Sequence, residues 1–216
     1  MNYYDSLVSA KFPTDKVAFL YLKEMTTNVE FLQSFDKLSI SNPTNLLTAC
    51  SSGDLEQVRR LIRDGANVNQ KDGNKFSPLR YACTKGHLEI VKFLVENGAD
   101  INILGNDKWT PLHSAIYYQH EEVAKYLIES GANMNLQNEV GYTPLHCAIY
   151  FHLKDTVKLL IRSGANAHIK DFTNESPWDL AIRFGQCEVF KLLSWNWGKR
   201  FQDHQKLQPK SKKRRI

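Results

Sequence analysis

No apolar run in this 216-residue sequence approaches the roughly 20 residues that a membrane-crossing helix requires, so no helical span is expected. The opening stretch, MNYYDSLVSAKFPTDK, has no basic segment leading into an apolar core, and a secretory signal is not expected either. Cysteine is sparse: Cys50, Cys83, Cys147 and Cys187 form no CxxC pair, and no histidine stands at zinc-finger spacing from a cysteine pair. The expectation is reduced thiols and residence in the nucleus, the cytoplasm or both. Catalytic signatures are missing as well. The seven histidines are scattered, there is no phosphate-cradling glycine loop and no HExxH helix, and Asp72-Gly73-Asn74 lacks the carboxylate spacing of a calcium loop. With no nucleophile, base or metal set converging on a pocket, neither enzymatic activity nor a cofactor is expected.

Charge is unevenly spread. From Lys199 onward there are eight Lys/Arg and one acidic residue, so this tail carries +7 of a net +5 and leaves the rest of the chain at −2. A broad basic face for nucleic acid is therefore not expected on the folded part.

What the sequence does have is a period. Ala49, Ala82, Ala115, Ala148 and Ala181 are each 33 residues apart, and Leu61, Leu94, Leu127, Leu160 and Leu193 keep the same step. So do Gly65, Gly98, Gly131 and Gly164, and Pro78, Pro111, Pro144 and Pro177. Four residue types in one register indicate a repeat architecture. Each Ser-Pro or Thr-Pro pair supplies a hydroxyl N-cap followed by proline at the first helical position. A short helix with its small alanine follows, then a longer one such as Leu88 to Asn97, with Ile90, Val91, Leu94 and Val95 at helical spacing. Gly98 ends that helix in the left-handed region, and Asp100 to Trp109 forms a turn leading to the next proline. Cys50 and Cys83 each follow a repeated alanine, which suits small buried groups. One such unit cannot bury its apolar face alone, so stability must come from stacking.

These units resemble the ankyrin repeat. TPLH stands at Thr110–His113 and Thr143–His146, and GHLEIVKFLVENGADIN at Gly86–Asn102 is close to the family consensus. The implied fold is an all-α solenoid of about five ankyrin repeats with β-turn or hairpin connections. The units are 39–71, 72–104, 105–137, 138–170 and a capping unit at 171–197. Departures from the pattern are Asn45 in place of proline, Arg80 in place of the motif histidine, Thr156 in place of an aliphatic residue, and Trp178-Asp179 in place of Leu-His.

Residues 1–38 fall outside the period. Helices from Thr14-Asp15 to about Lys23 and from Asn28 to Lys37 are expected there, forming a cap over the first unit, a degenerate repeat or a separate binding element. The segment 198–216 has the composition of a disordered basic tail. Its clusters Lys199-Arg200 and Lys212-Lys213-Arg214-Arg215 resemble a bipartite nuclear-import signal, which implies importin as a partner. The alternatives are a merely solvated terminus or loose attachment to nucleic acid or acidic lipid.

The family resemblance also points to a binding face. In ankyrin stacks the residue before the Thr-Pro pair and the two residues closing the first helix face a concave groove. Here those positions hold Phe76, Trp109 and Tyr142, then Tyr117-Tyr118, Tyr150-Phe151 and Phe184. Exposed contiguous aromatics suit capture of another protein, whereas rings stacked between units would be satisfied internally. Asn69, Asn102 and Asn135, each eight residues after a repeat leucine, resemble substrates of the asparaginyl hydroxylase that acts on such repeats, although asparagine also serves the turn. The resemblance thus implies a non-catalytic protein-binding adaptor or regulator, nuclear or nucleocytoplasmic. The alternatives are a substrate adaptor of a ubiquitin ligase and a pathogen-encoded mimic of host ankyrin inhibitors.

Overall fold

The computed structural model describes residues 45–194. The chain divides into two compact units, residues 1–43 and 44–216, and every described residue lies in the second. The helices expected at 14–23 and 28–37 fall outside the described residues, as do Lys199, Arg200 and Lys212–Arg215.

The second unit is an all-α solenoid of paired helices, with no strand among the described residues. The pairs are α1 (Leu46–Ser52) with α2 (Leu55–Arg63), α3 (Pro78–Lys85) with α4 (Leu88–Glu96), α5 (Pro111–Tyr117) with α6 (Glu121–Glu129), and α7 (Pro144–Tyr150) with α8 (Lys154–Arg162). The last pair is α9 (Pro177–Arg183) with α10, helical over 187–194. In the first four pairs the first helix packs on the second and on the first helix of the next pair, which is how a short unit acquires a core.

The first helices start where the capping chemistry says. Ser77, Thr110, Thr143 and Ser176 sit in extended backbone, and each side-chain oxygen accepts the N–H three residues on, with proline next in line. In the first unit, lacking that proline, Asn45 itself is the N-cap. Its carboxamide accepts from Leu47 N, and the helix begins one residue later in register. The outer helices α4, α6 and α8 have no side-chain cap, but each carries acid in its first turn (Glu89; Glu121 and Glu122; Asp155). The helix expected to reach Asn97 ends at Glu96, with Asn97 as its cap.

Ala82, Ala115, Ala148 and Ala181 are all completely buried, in equivalent places along one spine. Leu79, Leu112 and Leu145 beside them, and Leu94, Leu127 and Leu160 on the outer helices, are buried to within 1%. Between the two helices of each unit the chain takes a left-handed residue: Gly53, Gly86, Gln119, His152 and Gly185. Glycine is needed at the first two for a second reason. A Cβ on Gly53 would stand 2.7 Å from the His87 ring, and one on Gly86 2.5 Å from the His120 ring. Each of these histidines reaches back to the preceding unit, His87 Nε2 donating to Ser51 O (3.2 Å) and His120 Nε2 to Thr84 O (3.0 Å). After Gln119 the equivalent residue is Leu153 rather than histidine.

Candidate protein-binding groove

Between consecutive helix pairs the chain makes a finger-like turn. The turns at 72–76, 105–109, 138–142 and 171–175 each close with an N–H donating to the carbonyl four residues on, at 2.8–3.3 Å. Asp72, Asn138 and Asp171 brace three of them, each Oδ1 accepting two backbone N–H groups of its own turn. Neighbouring fingers are tied by Asn106 N to Asn74 O, Glu139 N to Asp107 O and Phe172 N to Val140 O. Two finger bases also meet the end of the adjoining inner helix, eight residues on: Trp109 meets Tyr117, ring centroids 5.3 Å apart, and Glu175 pairs with Arg183.

On this framework the aromatic residues sort into two sets. Phe76, Trp109 and Tyr142, at the finger bases, are only 5%, 8% and 8% exposed. This corrects the expectation of exposed rings at those positions. Phe76 lies under the Arg80 guanidinium (3.7 Å) and Tyr142 stacks flat on His146 (5.3 Å), while Trp109 is packed between His113 and Tyr117. The rings that close the inner helices, Tyr117, Tyr118, Tyr150, Phe151 and Phe184, are half-buried. They form a continuous edge-to-face ridge crossing three units: Tyr118 to Tyr117 (4.9 Å), Tyr117 to Phe151 (5.0 Å), Phe151 to Tyr150 (5.2 Å) and Tyr150 to Phe184 (5.8 Å). Two of these contacts join neighbouring units, so the rings steady one another while keeping part of their surface in water.

The motif histidines are structural. His113 Nδ1 accepts from Thr110 N (3.3 Å) and lies 2.8 Å from the Thr110 hydroxyl, so Nε2 bears the proton and donates to Tyr142 O of the next unit at 3.0 Å. His146 repeats this with Thr143 and Glu175 O. Burial pushes both imidazoles down to about 4, so they stand neutral and are committed to the stack. Arg80, in the same register, does otherwise: its fork grips the Asp107 carboxylate at 2.6 and 2.5 Å. A Cβ on Gly105 would lie 2.2 Å from Arg80 Nη1, so a glycine in the third finger makes room for the guanidinium.

The candidate hydroxylation sites are struts. The Oδ1 atoms of Asn69, Asn102 and Asn135 accept from Asp100 N, Asn133 N and Asn166 N, each 2.8 Å away in the next unit. Sequence reading left these cross-unit bonds out, though the 33-residue recurrence of asparagine was their signal. It also left out Phe172, 71% exposed at the fifth finger, and the exposed lysines Lys75 and Lys108 at the second and third. Among the described residues no group of three or more His, Cys, Asp or Glu is placed to hold a metal, and no helix is long and apolar enough to cross a membrane.

A family model for ankyrin repeats (3 copies) matches residues 46–138 and again 127–203. No curated protein matches the chain. With helix pairs, capped Thr-Pro starts, histidine ties and the family match all in one register over most of its length, the chain belongs to the ankyrin-repeat family.

Proposed function

We propose that this protein is a non-catalytic adaptor or regulator that holds a partner protein through the ridge of Tyr117, Tyr118, Tyr150, Phe151 and Phe184. Ankyrin repeats serve generally as protein–protein interaction modules, and the family is typically without catalytic activity. The ridge carries the reading: five half-exposed rings from three successive units line one side of the stack, and large aromatics on a rigid frame lose little conformational freedom when they are buried by a partner. Trp109, packed against Tyr117, supports it from beneath. The basic clusters Lys199-Arg200 and Lys212–Arg215 add a nuclear or nucleocytoplasmic setting, with importin as their reader.

Affinity purification followed by mass spectrometry tests this, comparing the intact chain with Tyr118→Ala/Tyr150→Ala. A partner retained by the intact chain and lost from the variant, with melting behaviour nearly unchanged, supports the ridge; equal retention rejects it. A fluorescent fusion with Lys212–Arg215 changed to alanine should lose nuclear accumulation if those residues are an import signal.

A further inference from the structure

The chemistry of the groove is not uniform along its length. Its aromatic ridge belongs to the third, fourth and fifth units. In the second unit the helix-closing pair is Thr84-Lys85, so a lysine stands where Tyr118 stands in the third. Exposed lysines also occupy the finger tips of units two and three: Lys75 and Lys108. Both hold left-handed backbone, φ 59° and 56°, at a register that Gly141 and Asn174 fill in units four and five. Side-chain-bearing residues other than asparagine and aspartate adopt that conformation uncommonly, and in this stack Gln119 and His152 hold it too.

The acidic groups on the same side are mostly engaged. Asp107 is gripped by Arg80, Glu175 pairs with Arg183, and Asp72 accepts two backbone N–H groups and the Tyr81 hydroxyl. Asp171 is buried and accepts from Thr173 and Glu175. Glu139, an exposed acid at the fourth finger that borders the aromatic half, is engaged as well. On the outer helices charge recurs partly as neighbouring pairs, Glu56–Arg59, Glu89–Lys92, Asp155–Lys158 and Glu188–Lys191, while α6 is acidic (Glu121, Glu122 and Glu129 against Lys125) and α8 basic (Lys154, Lys158 and Arg162 against Asp155). Positive potential is therefore concentrated at one end of the groove and aromatic surface at the other.

We infer that the occupant is an extended protein segment with acidic side chains at one end and a large apolar or aromatic anchor at the other, the acids meeting Lys75 and Lys108 and the anchor meeting the ridge. This rests on the groove reading above and adds to it the partner's chemistry. The spacing follows from packing: adjacent inner helices lie about 8–10 Å apart, and an extended chain rises about 3.3 Å per residue. Acids over unit two and an anchor over unit four are thus separated by about six residues. The rings supply most of the affinity, and the lysines set register and association rate in a salt-dependent way.

Selection of a random peptide library, about 16 residues long to exceed that span, on the full chain tests the inference. The expected outcome is enrichment of Asp or Glu about six residues from an aromatic or large aliphatic anchor. Selected peptides should bind about tenfold more weakly in high salt. Lys75→Gly/Lys108→Gly, which suits the left-handed backbone, should erase the acidic preference and keep the anchor. Enriched peptides that need Tyr118 and Tyr150 but carry no acidic surplus overturn the inference and leave the groove reading standing. Peptides indifferent to Tyr118→Ala/Tyr150→Ala overturn the groove reading itself, and no enrichment overturns both. Salt-sensitive retention of a labelled oligonucleotide at Lys75 and Lys108, in place of acidic peptides, also overturns the inference.

Discussion

The guanidinium of Arg80 holds the carboxylate of Asp107 through two parallel hydrogen bonds, joining the second unit to the third where His113 and His146 join later units through backbone carbonyls. The two side chains keep only 8% and 12% of their surface in water, so the pair is buried and geometrically good. Removing one partner strands the other. Arg80→Ala should cost about 3–5 kcal/mol, read as a lower urea midpoint. Replacing both by apolar residues of similar size should recover most of that loss, and a double-mutant cycle measures the coupling.

Acid should loosen the stack before it protonates most of the carboxylates. The folded chain holds His113 and His146 down at about 4 by burial, whereas an unfolded histidine titrates near 6.5. Between those values the unfolded chain binds more protons, so stability falls as pH drops from about 6.5 and the loss is complete near about 4. Each histidine contributes roughly 3 kcal/mol to that slope. Chemical denaturation across this range should show it, and His113→Gln/His146→Gln should flatten it, at some cost in stability at neutral pH.

The turn at Gly86 couples two units. Gly86→Ala strains a left-handed residue (φ +77°) and drives a Cβ into the His120 ring, so it should lower stability by about 1–3 kcal/mol. His120→Leu in the same chain should relieve part of the penalty, because the sequence itself joins a non-glycine residue at Gln119 to Leu153 in the following unit. Thermal melts of the single and double variants decide this.

The thiols divide by burial. Cys50, Cys83 and Cys147 are buried, with burial pushing Cys50 up to about 12 and Cys83 well above its ordinary value. Native titration with a thiol reagent should therefore label Cys187 quickly and the other three only on unfolding.

Much of this architecture was legible in the amino-acid sequence because its cause is local or periodic. Ser-Pro and Thr-Pro pairs start helices by chemistry confined to four residues, and the alanine register could mean only a repeated spine. The binding face was harder to read. The family resemblance placed Phe76, Trp109 and Tyr142 beside the groove, but not the side chains that pack on them: the Arg80 guanidinium over Phe76 comes from a residue whose departure from the motif gave no hint of its direction. The tie between Arg80, Asp107 and Gly105 spans 27 residues and depends on space left by a missing Cβ, which no periodic pattern records. Phe172 escaped notice because its place on the fifth finger holds Gly73, Asn106 and Glu139 in the others.

The most direct measurement is the dissociation constant of the purified full chain for its captured partner, taken with and without Tyr118→Ala/Tyr150→Ala. The ridge account predicts at least about a tenfold loss of affinity at unchanged fold, since hot-spot aromatics each contribute on the order of 1–2 kcal/mol. Equal affinity in the two proteins would contradict it.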